Sequence, residues 1–155
     1  MIIYKISFII FTLIVLIGCA DKQKLDFNFI FSYGVSTLNQ LDTFKNTYTK
    51  DLVLDGLVET SLTLTDDEKE QILRKMQDIN LFEYPVVNEG LAMEPSSGYK
   101  FEIQYQGKRI NVVWLDGFRD QDKDIRFSEL VKLIQDIIES KEEYKKLPDF
   151  RSGYL

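Results

Sequence analysis

The densest run of chemistry-bearing side chains is Asp120-Gln121-Asp122-Lys123-Asp124, three carboxylates at alternate positions. Alternating acids open calcium-binding loops, where hard oxygen ligands gather around one cation. That template also needs a glycine at its sixth position for a sharp turn and a bidentate glutamate at its twelfth. Counted from Asp120, those positions hold Ile125 and Val131. Asp120, Asp122 and Asp124 are therefore weak metal candidates. They are better explained as the acidic start of a helix, where carboxylates meet the positive end of the helix dipole. No metal or cofactor is expected.

Other chemistry is no better marked. Glu59, Glu83, Glu89, Glu94, Glu102 and Asp116 are available as paired acids for glycoside hydrolysis, but no spacing selects two across a cleft. Ser96-Ser97-Gly98 invites a serine nucleophile. Lys100 stands three residues after Ser97, however, inside an expected strand rather than at the helix start that a Ser-x-x-Lys motif occupies. The run from Leu41 to Asp51 mixes aromatic, charged and hydroxyl groups, with Asp42, Lys45, Tyr48, Lys50 and Asp51 as its candidate contact residues. Such a composition suits a binding surface. It also suits an edge strand with a decorated loop, which is the plainer reading.

Composition excludes more than the motifs propose. The 155 residues contain no histidine and one cysteine, Cys19. Histidine-based triads, histidine general bases and the common zinc ligand sets are excluded, as are an intrachain disulfide and a thiolate cluster. The 25 acidic side chains outnumber the 19 basic ones. An acidic chain is poorly suited to neutralising phosphates, so nucleic acid is not an expected partner, and charge-driven docking on anionic lipid is disfavoured too. A hydrophobic content of 45%, with 13% aromatic, is enough for a packed core and argues against disorder.

The elements that must position these residues are legible from periodicity. Phe27, Phe29, Phe31 and Tyr33 stand at alternate positions, giving a strand with an aromatic face that ends at Gly34. Residues 35–50 are mixed and are expected to form a loop and one short strand. Asp55-Gly56 marks a turn, and residues 57–64 follow as a strand with Val58, Thr60, Leu62 and Leu64 on one face. Thr65 and Glu68 form a capping box, and Ile72, Leu73, Met76 and Ile79 make an apolar helical stripe that stops at Asn80. Leu81, Phe82 and Tyr84 are expected to tuck beneath the sheet. Residues 86–98 form a long connection, a length at which loops are often functional or mobile.

A two-residue turn at Gln106-Gly107 sets Tyr105 against Lys108, Ile103 against Ile110, Phe101 against Val112 and Tyr99 against Trp114. The apolar residues of both strands then share one side, as a half-buried hairpin requires. The aromatic faces read as core rather than as the lining of an apolar pocket. After a charged turn at 116–123, Phe127, Leu130, Val131, Ile134, Ile137 and Ile138 mark a final helix, and residues 139–146 are charged up to Pro148. The expected fold class is α+β: an antiparallel sheet covered on one face by two amphipathic helices, a two-layer sandwich.

The segment before this domain has one positive charge at Lys5, an apolar run over 6–17, and then Leu16-Ile17-Gly18-Cys19 followed by polar residues. The run is short for a membrane span, which needs about 20 residues, and fits a secretory signal. Leu16-Ile17-Gly18-Cys19 resembles the lipobox of bacterial lipoproteins at all four positions. The resemblance implies cleavage between Gly18 and Cys19, a diacylglyceryl group on the Cys19 sulfur, and lipoprotein-processing enzymes as partners during maturation. The residues from 41 to 51, with 140–148 and Gly153-Tyr154-Leu155, resemble small uncharacterised lipoproteins of Bacillus-type bacteria, a likeness that transfers no functional residue beyond the lipobox.

The expected organisation is thus a signal peptide at 1–18, a lipidated tether at 19–26, a single domain at 27–148 and a tail at 149–155. Once the leader is removed, 18 basic side chains face 25 acidic ones. Lipid is then the evident route to the membrane, and two acyl chains hold a protein far more durably than one. The expected function is a membrane-tethered, extracytoplasmic and non-enzymatic binding or interaction module for an envelope protein or small ligand. The alternatives are a carboxylate-dependent hydrolase and a protective or inhibitory partner of another envelope protein.

Overall fold

The computed structural model describes residues 25–84, 97–115 and 121–150. The expectations for Gly18, Cys19, Asp120, the tether up to Lys24, most of the 86–98 connection and the last five residues lie outside the described residues.

Six strands form one antiparallel sheet in the order β4-β3-β2-β1-β5-β6. They are β1 (Phe27–Val35), β2 (Asn39–Asp42), β3 (Thr47–Asp51), β4 (Leu57–Ser61), β5 (Ser97–Tyr105) and β6 (Lys108–Leu115). The first four make a meander, and the β5–β6 hairpin adds to the free side of β1. Two amphipathic helices, α1 (Asp66–Asp78) and α2 (Gln121–Ser140), pack on the sheet, and a short helix, α3 (Glu142–Lys145), reaches β4. The fold is α+β, as the patterning implied. Among the described residues no helix is long and apolar enough to cross a membrane.

The hairpin register agrees residue for residue with the expectation, from Tyr105 opposite Lys108 to Tyr99 opposite Trp114. Gln106 and Gly107 have φ of 49° and 72°. Two left-handed residues in succession make the turn that matches the right-handed twist of paired strands. The Thr65–Glu68 capping box closes in both directions. Asn80 takes the left-handed conformation just past the end of α1 and redirects the chain into a 3-10 turn at Leu81–Glu83.

One sheet face and the two helices share the core. Phe27, Phe29, Phe31 and Phe101 lie beneath Ile72 and Met76 of α1 and Phe127, Leu130, Ile134 and Ile138 of α2, all essentially without solvent contact. Trp114 stacks on Phe127 with ring centroids 3.9 Å apart, and Phe31 stacks on Phe101 at 4.7 Å. Burying each such side chain is worth about 1.5–3 kcal/mol. The aromatic stripes are thus core. Ion pairs tie the helical layer together: Lys75 to Glu129 at 2.6 Å, and Lys141 to Glu68 at 2.7 Å.

Five expectations need correction. Residues 35–50 hold two strands, β2 and β3, rather than one. The alternation there is broken by Asp42 and Thr43, which are buried because they build the intervening turn. The Asp42 carboxylate accepts from the amides of Phe44 and Lys45, and Thr43 bonds Phe29 on β1. Gly34 does not end β1; at φ 85° it stays paired with β5, and the strand runs on to Val35. β4 stops at Ser61, opposite Thr47, the first residue of β3, although Leu62 and Leu64 stay buried beyond it. Ser97 and Gly98 belong to β5, where Gly98 pairs with Gly34. Gln121 to Lys123 lie inside α2 rather than in the charged turn expected at 116–123.

Candidate functional site

A cleft of about 370 Å³ opens where the sheet runs out from under the helices. Its floor is the inner face of β1, β2 and β3, with Tyr33, Asn39, Tyr48 and Lys50. Its walls are Glu139 at the end of α2, Tyr144 of α3 and Phe150 beyond it, with Asp51 and Val53 at the rim. Strand alternation puts Tyr48 and Lys50 on the same face two residues apart. Pairing carries that face across the sheet, with Tyr33 opposite Asn39, Leu41 opposite Tyr48 and Lys50 opposite Val58.

The floor is polar but buried. The Tyr33 and Tyr48 hydroxyls lie 2.7 Å apart. One phenol donates to the other, so the pair keeps a second O–H to donate outward. Burial, the dominant cause, pushes the Tyr33 phenol up to about 12, while its bond to Tyr48 pulls the other way. Burial raises Tyr48 further still, and Tyr33, Tyr144 and Glu139 add to the effect. Tyr144 is also raised, by burial first and then by Glu139 and Asp149. Near neutral pH these phenols are hydrogen-bonding groups, with no tyrosinate to act as base or nucleophile.

Lys50 is only 8% exposed. Its ammonium donates to the Pro148 carbonyl at 2.8 Å and lies 4.9 Å from the centre of the Tyr144 ring. Tyr144 in turn packs on Tyr48 with centroids 5.5 Å apart. The backbone at the rim is fixed by side chains. The Asn39 amide oxygen accepts from the Asp51 N–H at 3.0 Å, and the Asp51 carboxylate accepts from the Val53 N–H at 2.8 Å, holding Val53 at φ 64°.

Of the five contact residues read from the sequence, three meet in this cleft: Tyr48, Lys50 and Asp51. The other two do not. Asp42 is 2% exposed and spent on the β2–β3 turn, and Lys45 projects from that turn to pair with it at 3.3 Å. Both line a smaller depression of about 240 Å³ near Phe44, Glu102 and Arg109. Asp122 and Asp124 occupy the first turn of α2, and Asp122 borders a third depression with Glu83 and Arg126. Among the described residues no group of three or more acidic or cysteine side chains converges as a metal site. Glu59 lies on β4, Glu83 in the 3-10 turn and Glu102 on β5, so they share no cleft; Glu89, Glu94, Ser96 and Asp116 lie outside the described residues.

Sequence reasoning missed Tyr33, Asn39, Glu139, Tyr144 and Phe150 as cleft residues. A signal was present. Lysine at an inward strand position, two residues from a buried tyrosine, contradicts a purely apolar face and marks where the cover ends. No known family model, curated protein or solved structure matches this chain.

Proposed function

We propose that the chain is a lipid-anchored, extracytoplasmic module that binds a small ligand in the cleft between β1–β3 and the C-terminal helices, without transforming it. The anchor rests on the lipobox and on Cys19 as its acceptor. The binding role rests on one observation. The cleft gathers Tyr33, Tyr48, Lys50 and Tyr144 as hydrogen-bond donors and aromatic surface, with the phenols held protonated. Small-ligand sites have this character, with apolar walls and a few placed polar groups. Catalysis by a phenol would instead need an ionised or readily ionised group.

A thermal-shift screen of small polar and aromatic compounds tests the binding role. Compounds that stabilise the wild type should lose that effect in Tyr144→Ala, which removes one wall. Stabilisation that persists in the variant would place binding elsewhere. For the anchor, Cys19→Ala should abolish incorporation of labelled fatty acid and leave an unprocessed or released chain. Labelled lipid on that variant would contradict the tether.

A further inference from the structure

We infer that the ligand of this cleft presents a carboxylate, received by the Lys50 ammonium, with an apolar or aromatic body resting against Tyr144 and Phe150. The inference rests on reading the cleft as a binding site and adds the chemistry of its occupant.

Lysine is rarely buried unless its charge is matched, because removing an ammonium from water is costly. Lys50 stands on the inner face of β3 with 8% of its surface exposed. Among the described residues its ammonium has one hydrogen-bond acceptor, the Pro148 carbonyl, and one ring face, that of Tyr144. Among the described residues no carboxylate forms an ion pair with it. An ammonium carries three N–H donors, so with one on the carbonyl and one toward the ring, at least one is left for an acceptor that enters the cleft. The outward O–H of the Tyr33–Tyr48 pair is a further donor in the same cleft. A carboxylate offers two oxygens with about four acceptor sites, which suits two kinds of donor lining one floor.

The rest of the ligand is read from the walls. Phe150 is 62% exposed and lines the cleft with Tyr144. A flat or apolar body would cover both. The volume of about 370 Å³ lies at the small end of ligand pockets. Glu139 and Asp51 also line the cleft, and Asp149 follows Pro148. These acids oppose an approaching anion at long range. The ligand must therefore be held by direct contact with the ammonium, and steering by the overall field is not available to it.

The test uses the ¹⁵N-labelled full chain titrated with phenylacetate, phenylacetamide and phenethylamine, which share a ring and differ in charge. Phenylacetate should shift the amides of β3 and of the Tyr144–Phe150 stretch and bind at least tenfold more tightly than the other two. Lys50→Met should reduce phenylacetate binding at least tenfold, to the level of the amide, and Lys50→Arg should retain most of it. The comparison of probes on the wild type stands even if Lys50→Met folds poorly. N-acetyl-alanyl-phenylalanine separates the two sources of such a carboxylate. Tighter binding than phenylacetate supports the same chemistry at the end of a short peptide, and weaker binding supports it on a free small acid. If the amide or the amine binds in the cleft as well as the acid, the carboxylate inference fails and the binding site stands. If none of the probes binds there, both fail.

Discussion

The hydroxyls of Tyr33 and Tyr48 meet at 2.7 Å although their strands are not neighbours: β2 runs between β1 and β3. The bond spans a strand because the register places Tyr33 opposite Asn39 and Tyr48 opposite Leu41, all on the inner face, so the two rings reach toward each other across β2. Removing one hydroxyl leaves a mostly buried phenol without its partner. Tyr33→Phe or Tyr48→Phe should therefore each cost about 1–2 kcal/mol in denaturant unfolding. The double variant should cost less than the sum, because the second change removes the orphaned group. Additive losses would show that the bond contributes nothing.

The same pair sets an alkaline limit. In the unfolded chain both phenols ionise near 10.0, whereas folding holds Tyr33 up to about 12 and Tyr48 higher. Above pH 10 the unfolded state releases protons that the folded state keeps, so stability is complete below pH 10 and falls as pH rises toward 12. The Tyr33→Phe/Tyr48→Phe protein should show a shallower decline over that range. Equal declines in the two proteins would place the alkaline sensitivity elsewhere.

At acid pH the sensitive group is Glu68. Its partial burial acts to raise the carboxyl, but hydrogen bonds from Lys141 and Thr65 outweigh this and hold it below its ordinary 4.5. A depressed carboxyl contributes stability that is present above its unfolded value and is lost as pH falls below about 4.5. Glu68→Gln should flatten that part of the profile, and Thr65→Ala should cost about 1 kcal/mol at neutral pH through loss of the cap.

Two glycines separate turn strain from crowding. Gly107 has φ 72° and open space around it, so Gly107→Ala should cost about 1 kcal/mol from backbone conformation alone. Gly34 has φ 85°, and a methyl there would lie 2.9 Å from the Asn39 amide nitrogen. Asn39 also accepts from Asp51 at the cleft rim. Gly34→Ala should therefore destabilise more than Gly107→Ala and weaken binding in the cleft, whereas Gly107→Ala should leave binding unchanged.

Helix packing gives a simple contrast. Ile134→Ala on the buried side of α2 should cost about 2–5 kcal/mol. Ile125→Ala on the same helix, where the side chain is 53% exposed, should stay within about 0.5 kcal/mol.

What was legible in the sequence was whatever local periodicity controls. The β5–β6 register followed from two alternating patterns that had to agree across Gln106-Gly107, and both helical stripes are the buried stripes. The β2–β3 turn was not legible, because Asp42 and Thr43 are buried for hydrogen bonding and read as surface residues by type. The cleft was half legible. Tyr48, Lys50 and Asp51 stood out by composition, but their partners Tyr33, Glu139 and Tyr144 come from distant segments. The Lys50–Pro148 bond that joins floor to wall spans 98 residues, and only the fold brings them together.

The most direct test of the central claim, a ligand-binding cleft at the edge of the helical cover, is amide shift mapping on the full chain with any compound that passes the stabilisation screen. The account predicts that the largest shifts fall on Asn39, Tyr48 to Val53 and Glu139 to Phe150, and that they vanish in Tyr144→Ala. Shifts centred instead on Phe44, Glu102 and Arg109, or retained in that variant, would contradict it.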